Sequence, residues 1–406
     1  MTPQRARVTV IAMPRTGGKD IMRVLFASTG GLGHLQPLLP YARALRERGH
    51  EVRIAARDTL TEPIAKNGFA HVVLPTADDA VLKPLWAQAN ALPKPDVLPF
   101  YMDRVFAGVV AEAALPAIGA ALTDWKPHLV ARESLEFASL IAAEDSGVPH
   151  LRVEVHNALT EEGLIPEGFA AIDRARAGIG LAPDAGAAIR SEPAFTSFPA
   201  GFDGHLARAG GPAFRVGPPP SIPAKTGRPD WLPPGDDPLI YVTFGTIAQQ
   251  MDVARHIHRT ALDAVEGLPI RVLMTTGKPL DAEVPGPVPD NTRVEAFVPQ
   301  AEVFPHAAAA VHHGGSGTLL GAFAAGLPMV VTPLFADQPD NAALVAQGGF
   351  GRAVPDADAA SLRAAIMDLL GDPNAGAAVS NVAAEMAALP NITAAVTAME
   401  SHANRA

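Results

Sequence analysis

The chain has 406 residues, 48% of them hydrophobic and none of them cysteine, with a formal net charge of −10. That length suggests two domains, each able to bury its own core. The acidic balance argues against a nucleic-acid partner, which needs a basic face, and the missing cysteines exclude disulfides and thiolate zinc sites. A cytoplasmic location fits this cysteine usage, and no apolar run reads as long enough to cross a bilayer, so no membrane partner is expected.

Residues 1–21 read as a loose N-terminal extension. Arg5 and Arg7 precede an apolar stretch, Val8–Met13, that is too short for the core of a signal peptide. Arg23–Ser28 then reads as a buried strand, Leu35–Arg48 as a helix with apolar residues at helical spacing, and Glu51–Ala56 as a second strand. His128–Ala131 and His150–Val155 follow as strands flanking a helix from Leu135 to Ser146. Leu82–Tyr101 and His156–Ala213 are irregular and rich in Pro or in Gly, Ala and Pro, which places them at the rim of a sheet, where they would shape what binds.

Gly217–Pro238 contains eight prolines, which forbid regular structure and divide the chain. Beyond it, Leu239–Phe244, Arg271–Thr275, Arg293–Ala296, Ala309–His312 and Met329–Thr332 read as strands with helices between most of them, and Ala375–Ser401 as a final alanine-rich helical stretch. This alternation predicts an α/β protein with two Rossmann-like, doubly wound domains facing a cleft. The expected bounds are 22–217, a linker at 218–238, 239–385, and a C-terminal helix at 386–406 that packs back on the first domain.

The densest chemical signal is Val311–Thr318 (VHHGGSGT), running from a strand into a helix. Glycines let the backbone approach a ligand, and the helix start offers unpaired N–H groups and a positive dipole end suited to a diphosphate. His313, Ser316 and Thr318 add side-chain donors. Asp337 and Gln338, beyond the next strand, suit sugar hydroxyls. In the first half, Ser28–Pro37 (STGGLGHLQP) joins the first strand to its helix. Gly31 and Gly33 with Asp58 admit a dinucleotide-binding reading, but Gln36 stands where the third glycine of that fingerprint belongs and His34 occupies the turn.

Taken together, Phe297–Gln300 (FVPQ), His313–Thr318 and Pro333–Asn341 (PLFADQPDN) closely resemble the donor-binding region of the nucleotide-sugar-dependent glycosyltransferases of the plant-and-bacterial natural-product family, which have the GT-B fold. The resemblance implies that the second domain binds a nucleotide sugar and the first an acceptor. It assigns Val298 and Gln300 to the nucleobase and ribose, and His313, Gly315, Ser316, Gly317 and Thr318 to the diphosphate. Asp337 and Gln338 would hold the sugar, and Gly245 and Thr246 a second loop that reaches the phosphates. It makes His34 the catalytic base. The family usually orients this histidine with an Asp at the end of a later strand; here Glu133 stands at that place, with Asp124 a weaker candidate. A carboxylate so placed would fix the imidazole tautomer and stabilise the imidazolium.

The reaction implied is inverting transfer from a UDP- or dTDP-sugar onto a small hydrophobic natural product. A nucleotide-sugar 2-epimerase and a lipid-linked N-acetylglucosamine transferase of cell-wall synthesis share enough of the pattern to remain alternatives. Trp86, Phe100, Phe106, Phe137 and His156 are candidates for the acceptor pocket. No cofactor is expected, the nucleotide sugar being a co-substrate, and no metal site is evident. Asp356 and Asp358 read as a helix cap, and neither His256/His258 nor His312/His313 shares a helix face. The oligomeric state is left open, with a homodimer among the options.

Overall fold

The computed structural model describes residues 21–208, 213–218, 229–245, 252–277 and 286–405. Residues 1–20 of the expected extension and 219–228 of the proline-rich stretch lie outside the described residues.

Two parallel sheets carry the molecule. The first contains β1 (Arg23–Ala27), β2 (Glu51–Arg57), β3 (Ala70–Leu74), β4 (Leu129–Glu133), β5 (His150–Val153), β6 (Ala194–Thr196) and β7 (Phe214–Arg215), in the order β3-β2-β1-β4-β5-β6-β7. The second contains β8 (Leu239–Thr243), β9 (Arg271–Thr275), β10 (Thr292–Glu295), β11 (Ala309–His312), β12 (Met329–Val331) and β13 (Gly351–Ala353), in the order β10-β9-β8-β11-β12-β13. Helices cover both faces of each sheet, so β4 and β8 are buried at every residue, and strands of this kind read as runs rather than alternations. In both sheets the strand order reverses beside the first strand, at β1/β4 and at β8/β11. Ligands of such sheets bind outside the carboxyl ends of the strands at that point.

The two halves exchange elements. Val396 and Met399 of the helix Ile392–Ala403 sit in the core of the first sheet with Leu45 and Phe26. Arg48 and His50 hold Glu400 of that helix at 2.8 and 2.7 Å. In return, Phe198 and Phe202 enter the core of the second sheet, where Phe202 packs edge-on against Phe323.

The structure corrects the sequence reading in four places, the first being that Leu82–Tyr101 and His156–Ala213, read as irregular, carry the helices Asp79–Asn90, Lys94–Phe100, Ala158–Leu164 and Phe169–Gly178. Ala375–Ser401 is two helices, Pro373–Ala388 and Ile392–Ala403, bent by 51° at the break. Pro390 cannot donate a helical hydrogen bond, and Asn391 caps the second helix by accepting from the Ala394 N–H at 3.1 Å. The helix after β4 begins at Ala138 rather than Leu135, because the Leu135 N–H is turned back to the Glu133 carboxylate. Finally, Pro95–Trp125 is a 31-residue helical stretch, kinked at Gly108, in which an 18-residue window reaches a mean hydropathy of 1.9, long and apolar enough to cross a membrane by length and composition. Its Met102, Ala107, Ala114, Ile118 and Leu122 are packed into the core of the first sheet. Tyr101–Val110 within it is π-helical.

Candidate active site

The register of the first sheet sets Ala27 of β1 opposite Arg132 of β4, which brings the loop after β1 alongside the end of β4. That loop turns at Gly31 into a short helix, Leu32–Leu35, which carries His34. His34 Nδ1 lies 3.1 Å from Glu133 Oε2. The Glu133 carboxylate is fully buried and accepts three further hydrogen bonds: Oε1 from the Thr29 N–H at 3.1 Å and hydroxyl at 2.6 Å, and Oε2 from the Leu135 N–H at 2.8 Å. Burial pushes this carboxyl up, but the charge and hydrogen bond of His34, with Thr29 and Leu135, outweigh it and hold the group at about 2. An ionised carboxylate only accepts, so His34 presents Nδ1–H to it and keeps the lone pair on Nε2. The longer side chain, compared with the family's Asp, reaches the histidine without leaving any of these donors.

Sequence reasoning missed what holds Glu133 from beneath. Arg132, also fully buried, donates to the carbonyls of Glu133, Ser134 and Glu136 at 3.2, 2.9 and 3.3 Å, and its guanidinium pairs with Glu192. It therefore fixes the turn that carries Glu133 and Leu135. The only signal in the sequence was an arginine at a position buried in β4.

Of the acceptor candidates, His156 joins the dyad. Its ring lies edge-on to His34 with centroids 6.0 Å apart, and its Nδ1 is 3.3 Å from Glu161, which also accepts from Ser134 at 2.5 Å. Burial pushes His156 down, but the hydrogen bond to Glu161 and the charges of Asp337, Glu161 and Glu133 carry it up to about 9, which favours its cation beside His34. Phe137 is corrected: it is fully buried in the core of the first sheet, beneath the Arg132 guanidinium, and lines no cleft. Trp86 and Phe100 form an aromatic lobe with Tyr101, at 5.3 and 6.3 Å between centroids, and Phe106 packs on the first-sheet core. Asp124 is exposed in the helix Ala111–Trp125, which precedes β4, whereas Glu133 closes that strand.

On the second sheet, β8 and β11 pair with Thr243 opposite His312, so Gly245 and the 313–318 loop share the switch point. Here the glycines have a different purpose from the one read in the sequence. A Cβ on Gly315 would stand 2.4 Å from His313 Nε2, and one on Gly245, where φ is +76°, would stand 2.8 Å from it. Gly245 and Gly315 thus make room for the His313 ring, while Gly317 faces open space. Burial holds His313 down to about 4 against the Asp337 charge and a hydrogen bond to Thr243, and its Nδ1 has no partner among the described residues. The helix Ser316–Ala324 starts without a side-chain cap, leaving its first N–H groups open.

Gln300 donates to Thr318 Oγ1 at 3.0 Å, and Asp337 Oδ2 accepts from Ser316 at 3.0 Å and from Asn341 at 2.9 Å. Ala336, just before Asp337, is held in the left-handed region at φ +56°. Gln338 is buried and spends its carbonyl on the Leu334 and Phe335 N–H groups at 2.8 and 3.1 Å, which leaves only its amide nitrogen for a ligand. Val298 is corrected in the same way, since its side chain lies in the core and only its backbone is available. Its neighbour Phe297, 71% exposed and passed over in the sequence, offers the open aromatic face at this edge. Thr246 lies outside the described residues. Asp358 caps the helix Ala359–Leu370 in a capping box with Ser361. Among the described residues no group of three or more His, Cys, Asp or Glu side chains converges as a metal ion would require.

Two expected outcomes follow from this packing. Gly315→Ala should weaken nucleoside diphosphate binding by about tenfold or more and destabilise the fold by roughly 1–3 kcal/mol, read by titration calorimetry and urea unfolding, because the His313 ring must move. His312, buried beside His313, is pushed down to about 3 by burial, and its Nδ1 accepts from the Gly314 N–H at 3.0 Å. A histidine kept neutral in the fold contributes stability above the ordinary histidine range, and that stability is lost as pH falls from about 6.5 towards about 3. His312→Asn keeps an acceptor for Gly314 and removes the titration, so its melting temperature should fall less than the wild type's between pH 6.5 and 4.5.

Residues 43–169 and 260–401 match the family models for the N-terminal and C-terminal domains of erythromycin biosynthesis protein CIII-like proteins. The L-demethylnoviosyl transferase of Streptomyces niveus is 30% identical over 369 residues, which span 86% of this chain and 90% of that protein. Among solved structures, the glycosyltransferase SnogD from Streptomyces nogalater is similar with a TM-score of 0.73 at 26% identity, covering 95% of this chain and 100% of SnogD. The glycosyltransferase VinC in complex with dTDP gives 0.75 at 26% identity, again over 95% and 100%. The two parallel α/β sheets and these neighbours make the fold GT-B, and the chain belongs to the erythromycin biosynthesis protein CIII-like family and is a natural-product glycosyltransferase.

Proposed function

We propose that the enzyme inverts the anomeric centre of a nucleotide-linked sugar while transferring it to a small hydrophobic hydroxyl acceptor, with His34 as base and Glu133 as its orienting carboxylate. The observation that carries this reading is the His34–Glu133 pair at the switch point of one sheet with the 313–318 loop at the switch point of the other, the two halves being bonded to each other through Asn157, Asn341 and Gly314. The donor is a UDP- or dTDP-sugar, and the dTDP complex of VinC favours dTDP. Its diphosphate rests on the open N–H groups at Ser316–Thr318 and against His313, its sugar on Asp337 and Gln338, and its base against Phe297, the Val298 backbone and Gln300. Trp86, Phe100 and His156 bound the acceptor side. The partners are these two substrates, with no nucleic acid and no membrane, and the compartment is the cytoplasm.

His34 Nε2 takes the acceptor's hydroxyl proton as that oxygen bonds to the anomeric carbon. The bond from that carbon to the diphosphate oxygen breaks on the opposite face, and the nucleoside diphosphate leaves with the electron pair. Glu133 stabilises the imidazolium that forms. The helix dipole and N–H groups at Ser316 stabilise charge developing on the leaving diphosphate.

The first test is calorimetric titration with UDP, dTDP and GDP, in which one pyrimidine diphosphate should bind at micromolar affinity and weaken in His313→Ala. His34→Ala should then lower turnover by about 10²–10⁴-fold while changing diphosphate affinity little, as expected for a general base. Undiminished turnover in His34→Ala would overturn the assignment.

A further inference from the structure

The helix Ala158–Leu164 belongs to the first half of the chain but is fastened to the second. Its cap, Asn157, is fully buried and accepts from the Thr160 N–H at 3.1 Å. The Asn157 amide donates to Asn341 Oδ1 at 2.8 Å, and Thr160 Oγ1 donates to Asp340 at 2.9 Å. Asn341, also fully buried, donates in turn to the Gly314 carbonyl at 2.8 Å and to Asp337 Oδ2 at 2.9 Å. These bonds orient both amides. Asn341 must turn its two N–H groups to a carbonyl and a carboxylate, so its oxygen faces Asn157, which must then donate. The neighbours of the helix lie at the reacting centre: His156, one residue before the cap, stands beside His34, and Glu161 within the helix holds His156. Hydrogen bonds therefore run from Gly314 of the glycine loop through Asn341 to Asn157, and the chain carries the connection on to its neighbour His156, beside His34.

We propose that Asn157 and Asn341 are positioning residues, whose hydrogen bond couples occupation of the diphosphate loop to the placement of the helix 158–164 and of His156 beside His34. The proposal rests on the reading of 313–318 as the diphosphate site. Ligand that orders Gly314 favours the Asn341 orientation that receives Asn157, and by linkage the ordered helix favours the ligand. Both N–H groups and the oxygen of the Asn341 side chain are engaged, by Gly314, Asp337 and Asn157.

The test is amide hydrogen exchange on the full chain with and without dTDP. In the wild type, dTDP should slow exchange at 313–324 and, through the path, at 158–164 by about threefold or more, an ordinary coupling magnitude. Asn157→Asp and Asn157→Ser keep an oxygen to cap the helix but remove the amide donor. In both, dTDP should still protect 313–324 while protection of 158–164 is lost. A helix destabilised merely by a poorer cap would exchange faster in all states yet still respond to dTDP. Protection of 158–164 that persists in both variants, or that is missing in the wild type while 313–324 is protected, would overturn the proposal. No protection at 313–324 in the wild type would overturn it through the diphosphate reading itself, and is distinguishable for that reason.

Discussion

A carboxylate buried without water costs several kcal/mol unless donors surround it, and Glu133 is surrounded. Thr29 supplies two donors, Leu135 one and His34 the fourth. Each of these donors sits where it does because of something larger. Thr29 and His34 follow β1, Leu135 follows β4, and the parallel register of the two strands brings them to one edge. Arg132 then clamps the turn by its carbonyls. The constraint runs in both directions: an ionised Glu133 determines which nitrogen of His34 carries the proton, and His34 is one reason that Glu133 stays ionised.

The second sheet repeats the topology with different chemistry. Its switch point holds a neutral imidazole packed between two glycines instead of a charged pair. Keeping His313 neutral leaves the site to be polarised by the helix start at Ser316 and by whatever anion arrives. The two sides are thus asymmetric, with carboxylates and His156 around His34 on one and backbone N–H groups on the other. The exchanged elements, the helix Ile392–Ala403 on the first sheet and Phe198 and Phe202 in the second core, tie the two sides together away from the cleft.

The strands that flank the cleft were legible because both faces are buried, so β1, β4, β8 and β11 appear as apolar runs ending in the motifs. The short strands β6, β7 and β13, two or three residues long, carry too few side chains to show a period, and β3 was passed over. The helix break at Pro390 was visible as a residue but hidden by the alanine-rich composition on either side. Within the candidate site, the family resemblance pointed to His34, Glu133, His313 and Asp337, and the structure brings His34 to Glu133. The sequence misled where a side chain has two faces to choose from. Phe137 and Val298 turn inward, Phe297 turns outward, and nothing local decides between these. Arg132, Asn157 and Asn341 gain their roles from partners 60 and 184 residues away, which no single-chain pattern records.

The central claim is that an ionised Glu133 fixes His34 as the Nδ1–H tautomer, leaving Nε2 as the base. Nitrogen-15 NMR of histidine-labelled protein, with His34 assigned through His34→Gln, reads the two ring nitrogens separately at a pH where the ring is neutral. The account predicts a protonated Nδ1 and an unprotonated Nε2 in the wild type, with the preference lost in Glu133→Ala. A wild-type His34 protonated on Nε2, or a tautomer indifferent to Glu133, would contradict it.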